Sequence, residues 1–303
     1  MSAALIVKQL QKSFANVTAV QDVSFDVQRG GIFGLLGPNG AGKTTTIRMI
    51  MDILKPDSGS IQILDHAPGL GREQIGYLPE ERGLYRGLRV LETLVYFGEL
   101  KGLSAARARE RALLLLKRVE LDDRARAKVQ ELSRGMQQKL QIAATIINQP
   151  ELVILDEPFQ GLDPVNVDLI RRLIRELRDE GKTIILSAHE MHLVETLCER
   201  IALINRGRIV LNGDLAEIKR QFSPNALEVA PVIGAAGRPG VAHAEPVLNG
   251  DGRPRGERIT LDPGVTPQAF LKQLIDSGAP LERFEVASVP LDEIFVRVVT
   301  GKA

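Results

Sequence analysis

The chain has 303 residues, 25% of them charged, a formal net charge of +1 and one cysteine. Near-cancelling charge excludes a protein that grips nucleic acid by bulk positive charge and leaves room only for a local patch. The lone Cys198 excludes an internal disulfide, and no metal-ligand cluster is visible.

Cys198 reads as a helix-packing residue in a reducing compartment. Met1-Ser2-Ala3-Ala4-Leu5 lacks the basic segment and apolar core of a leader. No stretch reaches the roughly 20 apolar residues that span a bilayer, so any membrane role is expected to run through a partner.

Residues 1–30 alternate apolar and polar positions and predict two or three strands. Phe14 stands in a polar stretch between them, either as a stacking platform for a flat ring or as a plain loop anchor. The apolar run 31–36 predicts a buried strand, and residues 46–51 predict a helix. Between them lies Gly37-Pro38-Asn39-Gly40-Ala41-Gly42-Lys43-Thr44-Thr45. That spacing is a P-loop. Its glycines let successive N–H groups point at phosphate oxygens, and the helix N-terminus adds positive charge at the same spot. Lys43 would reach the β- and γ-phosphates, and the Thr44 hydroxyl would ligate Mg2+.

Residues 55–60 read as a turn, 61–64 as a short strand, and 74–79 as a strand ended by Pro79. Residues 90–148 turn helical and charged, and Arg107 to Arg111 read as a solvated face. Ser133 suits the N-cap of a helix running to about Asn148. Leu152 to Leu155 predict a buried strand that delivers Asp156 and Glu157. Carboxylates are expensive to bury unpaired, so a metal or a reacting group is the reason to place them there. Pro164 opens the next helix. Thr183 to Ser187 form another buried strand, with His189 just beyond, and 201–211 form a hairpin around Asn205-Arg206-Gly207. Strands alternating with helices imply a largely parallel sheet, with an antiparallel portion from the N-terminal strands. From about residue 223 the character changes. Residues 231–256 read as loops or weak strands, followed by strand, helix, strand and helix. The expected division is therefore 1–222, with a helical subdomain at about 83–150, and an α+β accessory domain at 223–303.

With these motifs in order, residues 5–222 resemble the ATP-binding subunit of an ATP-binding cassette (ABC) transporter. They look closest to exporter subunits of the sodium-efflux and drug-efflux type, which pair with a separate permease. The segment ending Leu291-Asp292-Glu293-Ile294-Phe295 resembles the accessory domain many of them carry. The resemblance implies a P-loop NTPase core with an antiparallel β subdomain and a helical subdomain. It implies ATP and Mg2+ as ligands, Phe14 stacked on adenine, and residues 37–45 as the phosphate loop. Asp156 fits the Mg2+ aspartate, Glu157 the general base, and His189 the histidine that contacts the γ-phosphate. Gly161-Leu162-Asp163 fit the D-loop. Ser133-Arg134-Gly135-Met136, with Leu132 before them, resemble the signature that closes over ATP held by a second cassette. The implied partners are a permease and a second copy or related cassette, at the cytoplasmic face of the membrane, with no nucleic acid. A non-transport cassette ATPase acting on ribosomes or nucleic acid is the alternative.

Three positions depart from the family pattern. Arg134 and Met136 replace glycine and glutamine in the signature, while Ser133 and Gly135 are kept. After Gly76-Tyr77-Leu78-Pro79 the family usually has a Mg2+-ligating glutamine, and here it is Glu80. A carboxylate is a good hard-oxygen ligand. It also adds negative charge beside a polyphosphate, for the metal or Arg82 to offset. Leu84, Tyr85, Leu88, Val90 and Leu91 are candidates either for permease contact or for internal packing.

Overall fold

The computed structural model describes residues 2–15, 17–81, 83–222, 225–287 and 289–300. The chain divides into two compact units, 1–215 and 216–303.

In the first unit, β1 (Ala3–Phe14) and β2 (Val17–Gln28) pair antiparallel, and β3 (Ile32–Leu36) and α1 (Lys43–Ile50) follow. β4 (Ser58–Ile63) pairs with the other side of β1, so residues 58–60, read as turn, are strand. The order β2-β1-β4 makes a separate three-stranded sheet. It is the antiparallel portion expected from the N-terminal strands, set apart from the parallel sheet. Their buried faces pack against that sheet, with Phe25 stacked on Phe33 at 5.4 Å between ring centroids. Phe14 is the last residue of β1 rather than a loop residue.

The remaining first-unit elements run in order: β5 (Ile75–Leu78), α2 (Val90–Leu100), α3 (Ala105–Arg118), α4 (Arg134–Thr145), β6 (Leu152–Asp156), α5 (Pro164–Asp179), β7 (Thr183–Ala188), α6 (Met191–Glu195), β8 (Arg200–Asn205) and β9 (Arg208–Asp214). The main sheet has the order β5-β6-β7-β3-β8-β9, parallel except for the closing β8–β9 hairpin. Every residue of β3, β6 and β7 is buried, which is the pattern of strands covered on both faces. Their carboxyl ends lie side by side, the place where open parallel sheets bind ligands.

α2, α3 and α4 form the helical subdomain. Arg118 of α3 pairs with Glu176 and Glu180 at 2.9 and 2.8 Å, tying it to α5. Of the five apolar residues at its entrance, Val90 is fully buried and packs internally. Leu84, Leu88 and Leu91 are half-buried, and Tyr85 is exposed with its ring edge-on to Tyr96. Cys198 sits just past α6 rather than within a helix. It is buried beside Gly34 of β3, and burial pushes its thiol well above the ordinary range.

The second unit takes in α7 (Leu215–Phe222), then β10 (Ala226–Ala230), β11 (Val241–Leu248), β12 (Pro254–Leu261), α8 (Pro267–Asp276), β13 (Arg283–Val286) and α9 (Leu291–Thr300). The division thus falls before most of α7, not after it as expected. Arg297 holds the end of that helix by donating to the Phe222 carbonyl at 3.5 Å. The sheet order is β11-β12-β10-β13. Leu227, Val229 and Ile259 meet Phe270 and Leu274 of α8 in its core. Residues 231–256, read as loops or weak strands, contain β11 and the start of β12. The buried Glu257 carboxylate holds the preceding loop by accepting from the Ile233 and Ala235 amides.

Candidate functional site

The P-loop leaves β3 and enters α1 through two glycines that tolerate no side chain. Gly37 has φ 148°, and a Cβ there would lie 2.1 Å from the Ile204 carbonyl oxygen. Gly42 has φ 110°, and a Cβ there would lie 2.5 Å from the Ala19 carbonyl oxygen. Gly42 is also the N-cap of α1 and supplies no side-chain cap, so the first-turn amides remain available to a ligand. They open on a cavity of about 400 Å³ lined by residues 39–45 with Ala19, Glu80 and Glu157.

The buried charges meet at the floor of this cavity. Lys43 Nζ donates to the Gly37 carbonyl at 2.8 Å and to Pro38 at 3.4 Å, and lies 3.4 Å from Glu157 Oε1. The far oxygen, Oε2, is 2.8 Å from His189 Nδ1. Lys43 and Glu157 are 5% and 8% exposed, so their charges are compensated mainly by one another. Glu157 has φ 51°, a strained conformation for a side-chain-bearing residue, and its amide donates to the Ser187 carbonyl at 3.0 Å.

Asp156 is fully buried, and neither of its carboxylate oxygens has a hydrogen-bond partner. Burial pushes its carboxyl above the ordinary range. The Ser187 and Thr44 hydroxyls pull the other way without reaching hydrogen-bond geometry, and the Glu157 and Glu80 charges push it further up. Burial, with the Asp156 charge beside it, also drives the Tyr77 hydroxyl up to about 12. An orphaned buried carboxylate next to hydroxyl and carboxylate oxygens is a hard-oxygen donor set, and it suits Mg2+. No group of three or more His, Cys, Asp or Glu fit to hold a metal alone exists among the described residues. A metal carried in by phosphates needs only one or two protein carboxylates.

The structure therefore brings together Lys43, Thr44, Thr45, Asn39, Gly40, Ala41, Gly42, Glu80, Asp156, Glu157 and His189. It keeps three groups apart from them. Phe14 is 46% exposed, does not line the cavity, and carries Lys12 Nζ 5.7 Å above its ring. The signature begins α4: Ser133 Oγ accepts from the Met136 amide at 3.2 Å, Ser133 and Arg134 are exposed, and Gly135 and Met136 are half-buried. Gly161, with φ 70°, and half-buried Leu162 lead to Asp163, which caps α5 by accepting from the Asn166 amide at 3.0 Å. That bond and the Asn166 side chain hold the Asp163 carboxyl below the usual range. The signature and D-loop lie close, since a Cβ on Gly135 would be 3.2 Å from Asn166 Nδ2.

Sequence reasoning missed Ser187 and Gln138. Ser187 pairs in register with Asp156 and leaves its own buried hydroxyl unpartnered; a hydroxyl at the end of the strand before His189 was the available signal. Buried Gln138 donates to the Pro158 carbonyl at 3.2 Å, linking the signature helix to the Asp156-Glu157 turn, and carries no local signal. Arg82, expected to offset Glu80, lies outside the described residues.

Residues 20–160 match the ABC transporter family, and residues 213–299 match the C-terminal domain of DrrA1-3-like ATP-binding proteins. The daunorubicin/doxorubicin resistance ATP-binding protein DrrA of Streptomyces peucetius is 33% identical over 300 residues, covering 96% of this chain and 91% of that protein. The Nod factor export ATP-binding protein I of Paraburkholderia xenovorans is 40% identical over 215 residues, covering 70% and 71%. A dimeric cassette solved in a post-hydrolysis state with ADP and Pi superposes with a TM-score of 0.65 at 26% identity, covering 70% of this chain and 98% of that one. The P-loop, the strand-end acid pair, the histidine beyond them and these matches lead to one conclusion: the chain belongs to the ABC transporter family, as an ATP-binding subunit.

Proposed function

We propose that this cassette uses Mg2+-ATP to power export through a separate integral membrane permease, at the cytoplasmic face of the membrane. As a family member it binds and hydrolyses ATP, and its relatives include export and drug-resistance ATPases. Those relatives favour transport over action on ribosomes or nucleic acid. No helix among the described residues is long and apolar enough to cross a membrane.

The observation that carries the catalytic reading is the Lys43–Glu157–His189 chain at the cavity floor. Lys43 exchanges its Gly37 carbonyl for β- and γ-phosphate oxygens, and Thr45 and the P-loop amides hold the rest of the tail. His189 orients Glu157 through Oε2 and contacts the γ-phosphate. Oε1, which has no hydrogen-bond partner, takes a proton from the water that attacks the γ-phosphorus. The products are ADP and phosphate. Thr44, Glu80 and Asp156 would hold Mg2+, which would supply charge neutralisation on the phosphates. Phe14 stacks on the adenine. Ser133 to Met136 face outward to meet ATP held by a second cassette, beside the D-loop, so the working unit contains two.

The test is a pull-down of Glu157→Gln from detergent-solubilised membranes with Mg2+-ATP. A stoichiometric polytopic membrane protein supports the reading. Recovery of ribosomes or DNA-bound proteins overturns it.

A further inference from the structure

We infer that Glu80 makes nucleotide binding obligately dependent on a divalent cation, so that the cavity accepts ATP as its metal complex and rejects the free tetra-anion. The inference rests on residues 37–45 being the phosphate site.

The charge inventory points this way. Among the described residues Lys43 is the only cation lining the cavity, and it pairs with Glu157 at 3.4 Å. Glu80 lines the same cavity and has no ion-pair or hydrogen-bond partner among the described residues. Behind it Asp156 is fully buried with both oxygens unpartnered. Glu80 thus faces the cavity with Asp156 buried behind it, and neither carboxylate has a counter-charge among the described residues. The α1 N-terminus and the P-loop amides offset part of the repulsion, because a helix end carries only about half a unit charge. A divalent cation held by these carboxylates would turn the same two groups from repulsive to attractive toward the nucleotide.

A neutral amide at position 80 would behave differently. It offers the metal a similar oxygen but imposes no penalty on metal-free nucleotide. Selection between free and complexed ATP therefore follows from the charge of Glu80, not from its reach.

The test is calorimetric titration of the full chain with a non-hydrolysable ATP analogue, in saturating Mg2+ and in EDTA. Removing metal should weaken wild-type binding by about 100-fold, the scale of like charges a few ångströms apart in a partly solvated site. Glu80→Gln should narrow that ratio by about 10-fold or more, chiefly by tightening the EDTA arm. Glu81→Gln, which neutralises an adjacent exposed carboxylate that does not line the cavity, should leave the ratio unchanged. Retention of Mn2+ with the analogue, followed by electron paramagnetic resonance, should weaken in Glu80→Gln. A wild-type ratio near one, or equal ratios in wild type and Glu80→Gln, overturns the inference and leaves the site reading standing. Failure to bind the analogue even with Mg2+ overturns both.

Discussion

The two helix N-termini to which the proposed function gives phosphate are built on opposite principles. α1 begins at a glycine that caps nothing, above buried and mutually dependent charges, with Asp156 unpartnered and Glu157 strained. α4 begins at Ser133, whose hydroxyl already accepts from its own helix, in an exposed segment with no buried charge. The first end is enclosed within one chain and keeps its polar groups unsatisfied for a ligand. The second is locally satisfied, so it can sit at the surface until another molecule arrives. The cost of unmet polar groups is concentrated where burial can hold geometry, and avoided where it cannot.

Glycine replacements should break this contrast most sharply. Gly42→Ala is expected to abolish nucleotide binding in calorimetry, because its Cβ meets backbone at 2.5 Å and its φ is 110°. Gly135→Ala should fold normally with single-chain nucleotide binding intact, since its nearest neighbour is the movable Asn166 amide at 3.2 Å. Glu157→Gln should lower phosphate release by about 100-fold or more while keeping nucleotide affinity. Ser133→Ala should lower unfolding free energy by about 1 kcal/mol in denaturant titration, the usual worth of an N-cap, and should leave single-chain affinity unchanged.

The smallest effect concerns the other end of α4. Lys101 Nζ donates to the Ala144 and Thr145 carbonyls at 3.3 and 2.8 Å, and burial pulls it from 10.5 down to about 8. Its unfolded form holds the proton to higher pH than the folded form. Stability from this group therefore rises between about pH 8 and 10.5, and below pH 8 its full cost persists. Melting temperature against pH should show that rise in wild type and lack it in Lys101→Met.

The contrast also explains what could be foreseen. Residues 37–45, the Ser133 cap and Pro164 are short-range devices, and each occupies the place its local chemistry predicts. Residues 231–256 were legible only as loops or weak strands because their Gly and Pro content blurs β11 and the start of β12, whose Gly256 leaves the room that the Val229 carbonyl needs 2.3 Å from a would-be Cβ. In the N-terminal strands alternation announced strand and an antiparallel arrangement, but not that β4 completes their sheet, because a period of two does not specify which neighbour a strand takes.

Chain-local chemistry was enough to announce a phosphate loop, an acid pair at a strand end and a capped signature helix, because backbone turns and caps are decided within a few residues. The fold alone decided that Lys43, Glu157 and His189 share one floor, that Ser187 stands beside Asp156, and that Glu80 lines the P-loop cavity with no counter-ion among the described residues. These depend on parallel strands, distant in sequence, ending side by side, and no local pattern specifies which neighbours they take.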